Sequence, residues 1–279
     1  MVSINTNLSS LIAQRNLINS SNALNSLMER MSTGYKLNSA SDNAANYAIA
    51  QNFSSQISSL SVAEENANLG LDMVQSMSSV LELISKQANK LRGLAEQSLN
   101  GTYGQKSLEA INLEAQSVLD EIVRLTKDND FSEIDLFEDF ETDELGENDD
   151  ITNMITLQIG TGSGEDSKIR FNAYFSISDI LSIADIGINN NNSLDIIDAF
   201  LNKVQNRQVE YGALTNRLTS VLDSISVKYN NLVSSRSTLR DADAGELSSE
   251  YVRQQILQQA AATLLSTANQ TPAIALQLI

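Results

Sequence analysis

Thirty-five carboxylates and 18 basic side chains make up most of the reactive inventory of this 279-residue chain, which holds no His, Cys or Trp. Without His or Cys, Ser–His and Cys–His nucleophilic catalysis is unavailable, and so are the zinc sites built from those ligands. A carboxylate pair could work as acid and base on a glycoside. Acids spread this widely over helices and one loop form many accidental pairs, however, and the sequence predicts no enzyme. The string GTGSGEDSK (160–168) resembles a phosphate-cradling loop only superficially. It lacks the G-x-x-x-x-G-K-[ST] order and precedes a strand pattern rather than a helix, so it reads as a hairpin turn. Asp128 to Asp150 carries twelve carboxylates and no base. Calcium could be drawn there, but the register starting at Asp128 puts Glu133 where an EF-hand loop needs glycine. A solvated, mobile surface loop is expected instead, and no cofactor or metal is expected anywhere.

The elements around these residues are helical. From Phe53 the apolar positions run Ile57, Leu60, Ala63, Ala67, Leu71, Val74, Met77, Leu81, Ile84, Ala88, Leu91 and Ala95, stepping by three or four. This predicts one helix from Asp42 to Ser98, broken by nothing but Gly70 and Gly93 and about 80 Å long. The turn NGTYGQ (100–105) stops it. A second seam follows at Leu108, Ile111, Ala115, Val118, Ile122 and Leu125, which predicts an antiparallel helical hairpin. A third seam runs from Leu194 to Leu232, and three such helices can bury their stripes as a bundle. Between the second and third, NMITLQIGTGSGEDSKIRFNAYF (153–175) alternates apolar and polar residues about a glycine-rich turn, the one strand signal in the chain. Tyr and Met sit at helical spacing among apolar neighbours and read as packing residues.

The two ends share an oddity. Residues 1–28 hold a single charged side chain, Arg15, and residues 254–279 hold none. Apolar residues recur at helical spacing at Ile4, Leu8, Leu11, Ile18, Leu24, Leu27 and Met31. They recur again at Ile256, Ala260, Leu264 with Leu265 beside it, Ala268, Ala275 and Leu278. Two helices alone cannot bury stripes this wide, so neighbouring copies must cover them. The candidate assembly residues are therefore Ile4, Leu8, Leu11, Ile18, Leu24, Leu27, Ile256, Leu264, Leu265 and Leu278.

Composition bounds the partners. With 42% apolar residues a sizeable core is possible, whereas one proline and 5% aromatics suit long helices better than sheets. A net charge of -17 without any basic run repels phosphate backbones and anionic membranes; neither nucleic acid nor membrane is expected as a partner. No stretch approaches the about 18 consecutive apolar residues of a membrane span, and the N-terminus lacks the features of a secretory signal.

At both ends the residues resemble bacterial flagellin. SINTNLSSLIAQRNL (3–17), followed by MERMSTGYKLNSASDNAANYAIAQNF (28–53), is similar to the family's opening and its S-G-x-x-I-N-S-A-x-D-D-A-A-x-x-A-I-A signature. NNLVSSRSTLRDADAGELSSEYVRQQILQQAAATLLSTANQTPAIALQL (230–278) resembles its closing segment. The likeness covers roughly residues 1–127 and 194–279, and ITLQIGTGSGEDSKIRF also looks like the family's F-Q-I-G segment. Two departures stand out. NDFSEIDLFEDF (129–140) replaces the usual aromatic-Asn-Gly-x-x-L-L, and the signature's paired acids read Asp42, Asn43.

The resemblance implies a mainly α fold: a long antiparallel helical bundle or rod (D1), a terminal two-helix coiled coil (D0) and a small β-hairpin region. The expected division is 1–42 for the D0 N-terminal helix, 43–127 for the D1 N-terminal helices, 128–193 for the acidic loop and hairpin, 194–245 for the D1 C-terminal helix and 246–279 for the D0 C-terminal helix. It further implies a filament subunit with other flagellin copies as partners, an export chaperone and a cap, export unfolded through the flagellar type III apparatus, and an extracellular destination. It also implies contact with Toll-like receptor 5 through Asn89, Lys90, Leu94 and Glu114. That contact is weakened where Lys90 replaces an arginine and Gly93 a glutamate, since lysine lacks the planar fork. The alternative readings are a hook–filament junction protein and a calcium-dependent acidic adhesin on a helical rod.

Overall fold

A computed structural model describes residues 7–132, 134–137, 154–173, 175 and 177–277. Ile4, Leu278, most of the acidic run (138–150) and the side chain of Ala275 lie outside the described residues. In chain order the elements are α1 (Leu8–Thr33), α2 (Ala44–Ser98), α3 (Gln105–Lys127), β1 (Asp130–Phe131), β2 (Ile134–Asp135), β3 (Met154–Gln158), β4 (Lys168–Asn172), α4 (Ser178–Ile186), α5 (Asn191–Arg240) and α6 (Ala244–Gln277). The fold is mainly α, as the apolar periodicity predicts. The chain forms two compact units, Met1–Ile57 with Asn230–Ile279, and Ser58–Tyr229.

The second unit is built on a heptad. Val74, Met77, Leu81, Ile84, Ala88, Leu91 and Ala95 step 3-4-3-4 along α2, and all are fully buried. That spacing keeps one apolar stripe turned to the same neighbours over six turns. Ala115, Val118 and Ile122 on α3 and Ile197, Val204 and Leu218 on α5 complete the core. Polar contacts fix the register. Lys90 on α2 pairs with Glu114 on α3 at 2.8 Å, and Arg92 Nε donates to Asp198 on α5 at 2.7 Å. Near the end of α2 the buried Ser98 hydroxyl donates to the carbonyls of Ala95 and of Ile188, just before α5, at 2.8 and 3.0 Å. Higher α2 numbers thus meet lower α5 numbers, and the two helices run antiparallel. Tyr211 is buried, and burial pushes its phenol up from the ordinary value.

The strand pair β3–β4 is antiparallel, Met154 facing Asn172 and Gln158 facing Lys168. Its glycine-rich turn is tied from within, because the Gln158 side-chain amide donates to the carbonyls of Gly160 and Gly162 at 2.8 and 2.7 Å. Those carbonyls therefore serve the turn, as the hairpin reading requires. Asn66 of α2 donates to the Gln158 carbonyl at 3.0 Å. Beside it Gly70 leaves room for Leu157: a Cβ at Gly70 would stand 2.2 Å from Leu157 Cδ1.

The structure corrects three expectations. The acidic run does not begin as a solvated loop. Asp130–Phe131 and Ile134–Asp135 pair as a second small antiparallel hairpin, and Leu136 and Phe137 are buried. The reason is aromatic: Phe137 packs edge-on against Phe175 at 6.4 Å, and Phe175 packs against Phe200 of α5 at 5.7 Å. The same pair means that β3–β4 is not the chain's only strand pairing. Finally, α4 adds a helix within 128–193, where only the acidic loop and hairpin were expected. Its Ile180 and Ile183 are buried, and Asp179 pairs with Lys203 of α5.

Candidate assembly surface

The first unit pairs α1 with α6. Asn7 caps α1 by accepting the Ser10 amide on its side-chain oxygen at 3.1 Å, and its Nδ2 donates to the Ala268 carbonyl at 2.6 Å. Ser10 donates to Asn269 Oδ1 at 2.7 Å. At the other end α1 closes on Gly34, whose left-handed φ of 73° allows its N–H to reach the Arg30 carbonyl at 2.9 Å. Chain beyond Gly34 then zips onto the junction between α5 and α6. Ala242 N donates to Gly34 O at 3.0 Å, Lys36 N to Arg240 O at 2.8 Å, and the Arg240 guanidinium lies 4.1 Å over the Tyr35 ring. Asp243 starts α6 by accepting the Gly245 and Glu246 amides at 2.7 and 3.2 Å. The two helices therefore run antiparallel.

The family-like signature turns out to be capping chemistry. Asp42 accepts the amides of Asn38 and Ser39, both at 3.0 Å, and faces Arg30 at 3.6 Å. The Ser39 and Asn38 backbone bonds, with the Arg30 charge, hold its carboxyl below the ordinary 3.8. Asn43 accepts the Asn46 amide at 3.0 Å as α2 begins, so Asn in place of a second acid keeps the cap.

Which residues make the α1–α6 seam was not legible from apolar spacing. The inward positions on α1 are Ser10, Ala13, Leu17, Ser20, Leu24 and Leu27, again stepping 3-4. Opposite lie Gln254, Gln258, Ala261, Leu265 and Ala268 on α6, buried or half-buried. Small and polar side chains dominate the seam and let the helices approach closely. Leu24, Leu27 and Leu265 thus belong to pairing within the chain. The large apolar groups point outward: Leu8 is 69% exposed, Leu11 57%, Ile18 52%, Ile256 60% and Leu264 63%. Ile12, Val252 and Leu257 join them, about half exposed, and the sequence reading had missed all three. A heptad scan admitting Ala, Ser and Gln as seam residues would have separated the two faces.

The second set of candidate positions lies on α2 and α3. Lys90 and Glu114, each about half exposed, form the ion pair already described, and the exposed Asn89 turns its amide back to the Ser85 carbonyl at 2.8 Å. Leu94 does not join them, since it is buried in the core at 7% exposure; its seam position next to Ala95 outweighs any surface role. Among the described residues no helix is long and apolar enough to cross a membrane, and no three carboxylates gather as a metal site.

Comparison with known proteins matches residues 4–142 to the bacterial flagellin N-terminal helical region and residues 194–279 to the bacterial flagellin C-terminal helical region. The chain is 31% identical to a flagellin of Halalkalibacterium halodurans, over 99% of both chains. It is 31% identical to a flagellin of Xenorhabdus nematophila, over 99% of this chain and 98% of that one. It is 28% identical to the flagellar filament 33 kDa core protein of Treponema phagedenis, over 99% of both.

Proposed function

This chain belongs to the bacterial flagellin family, and from that premise we propose that it polymerises through the outward apolar faces of α1 and α6. The family's members are structural filament subunits, not enzymes. The observation that carries the assembly mechanism is the division of labour at the ends: small residues face the partner helix, and Leu8, Leu11, Ile18, Ile256 and Leu264 face solvent. Large apolar side chains left exposed along both terminal helices call for a partner. Here the partner is a further copy, because the ends carry almost no charge with which to recognise anything else. The contact surfaces differ from one helix to the other, so packing is head-to-tail and an open filament results. On this reading the terminal pair forms D0 and the heptad core forms D1, with boundaries near residues 42 and 246. Both ends gain rigidity on assembly, export proceeds unfolded through the flagellar type III apparatus with a chaperone and cap, and the destination is extracellular. Seeding purified protein with filament fragments tests this. Long filaments by electron microscopy, with terminal helices cut readily by protease beforehand and resistant afterwards, support it. Protein that stays dispersed beside competent seeds contradicts it.

A contact with Toll-like receptor 5 would rest on Asn89, Lys90 and Glu114 alone, given where Leu94 lies. The Lys90–Glu114 bond occupies both charges, which accords with a weak ligand. A reporter-cell assay showing the potency of an arginine-bearing flagellin would refute that.

A further inference from the structure

The turn between α2 and α3 contains the only Asn–Gly pair in the sequence, Asn100–Gly101, and hydrogen bonds hold the asparagine side chain in place. Both residues are exposed and lie outside the helices. Thr102 directs two donors at one atom: its backbone N–H reaches Asn100 Oδ1 at 3.2 Å and its hydroxyl at 3.0 Å. Because a backbone N–H can only donate, the atom it meets must be the amide oxygen, which fixes the side chain's orientation. The Tyr103 N–H donates to the Asn100 carbonyl at 3.2 Å, closing the turn around Gly101. The Gly101 N–H takes no part in these bonds, and with no side chain at Gly101 a Cβ there would have met nothing within 4 Å.

We propose that Asn100 is a self-modification site, where the turn promotes attack by the Gly101 nitrogen on the Asn100 side-chain amide to give a succinimide and then aspartyl and isoaspartyl forms. The Gly101 amide proton passes to water or hydroxide, and the nitrogen bonds to Asn100 Cγ. Negative charge gathers on Oδ1, where the two Thr102 donors stabilise it as an oxyanion hole does. The intermediate collapses with cleavage of the Cγ–Nδ2 bond, and ammonia leaves with a proton from water. A second water opens the ring at either carbonyl. Opening at the main-chain carbonyl leaves isoaspartate, and opening at the side-chain carbonyl leaves aspartate. The sum is amide plus water to carboxylate plus ammonium, with no redox change. Proximity makes the attack effectively unimolecular, and glycine offers the nitrogen without steric screening. Asparagines followed by serine do not share these advantages: Asn19 and Asn25 lie inside α1, and the serine nitrogens after Asn38 and Asn192 are engaged, Ser39 N–H donating to Asp42 Oδ2 at 3.0 Å and Ser193 N–H to the Asn190 carbonyl at 2.9 Å. Each event adds one negative charge to a chain of -17, and the isoaspartyl form lengthens the backbone at the tip of the α2–α3 hairpin. The converted fraction records the age of the folded subunit.

The test is peptide mapping of the full chain aged at mildly alkaline pH, with isoaspartate scored in the tryptic segment 93–106. Conversion there should outpace that of every other asparagine-bearing segment. T102V should slow it several-fold in folded protein and leave it unchanged in urea, and G101A should nearly abolish it in both. Absence of isoaspartate in 93–106 overturns the site. Equal folded rates for the parent and T102V overturn the role of the Thr102 donors.

Discussion

Replacing Ile256 and Leu264 by Gln separates assembly from folding. These side chains are 60% and 63% exposed in the isolated chain. Full burial of such a side chain is worth about 1.5–3 kcal/mol, so covering the exposed three-fifths contributes about 1–2 kcal/mol apiece when a neighbour seats on it. Glutamine is nearly as good a helix former as leucine, so α6 itself should be little changed. At about 1.4 kcal/mol per tenfold, each substitution should raise the critical concentration for polymerisation about 5- to 30-fold. The two residues lie two turns apart and act almost independently; the double variant should require at least about 25 times more protein to polymerise. Seeded growth followed by sedimentation reads this directly, as the protein left in the supernatant at plateau. Circular dichroism melting of the monomer is the companion measurement, and it should move by no more than about 0.5 kcal/mol in stability. A critical concentration within twofold of the parent would refute the reasoning. So would a loss of monomer stability large enough to account for the defect.

Three further outcomes follow from the packing. L81A empties a fully buried heptad position and should cost about 3 kcal/mol in a denaturant titration of the monomer; a cost below about 1 kcal/mol would mean that the seam is not the core. G93A adds a Cβ that meets nothing within 4 Å on the exposed side of α2, and should stabilise by about 0.5–1 kcal/mol, seen as a higher melting temperature. Asp42 has its pKa lowered by the Ser39 and Asn38 amides and Arg30. Its stabilising effect is therefore full above the unfolded value and is lost as pH falls through the lower folded value. D42N should melt below the parent at neutral pH and converge with it in acid; a constant gap across pH would contradict that sign.

The helical core was legible because it is written in large apolar residues at a fixed period. Val74 to Ala95 on α2 and Ile197 to Leu218 on α5 bury the positions that the spacing marks out. The β3–β4 pair was legible from alternation about a glycine turn. Leu136 and Phe137 were not, because their burial depends on Phe175 and Phe200, distant partners that the surrounding carboxylates hid. Helix α4 was missed for a related reason, being too short to show a full period. At the ends the sequence identified the need for a partner but did not separate the outward apolar residues from the seam: Ser10, Ala13, Gln258 and Ala261 carry no hydropathy signal, yet they lie where α1 and α6 pair. Leu94 shows the limit of transfer by resemblance, since a matching residue type says nothing of whether the side chain reaches solvent.

The account is tested most directly by hydroxyl-radical footprinting of Leu8, Leu11, Ile18, Ile256 and Leu264 in monomer and in filament. These side chains should label strongly in the monomer and become protected in the filament, while Leu81 and Ile84 of the heptad core, fully buried, stay protected in both. Equal labelling of the five outward residues in the two states would contradict it.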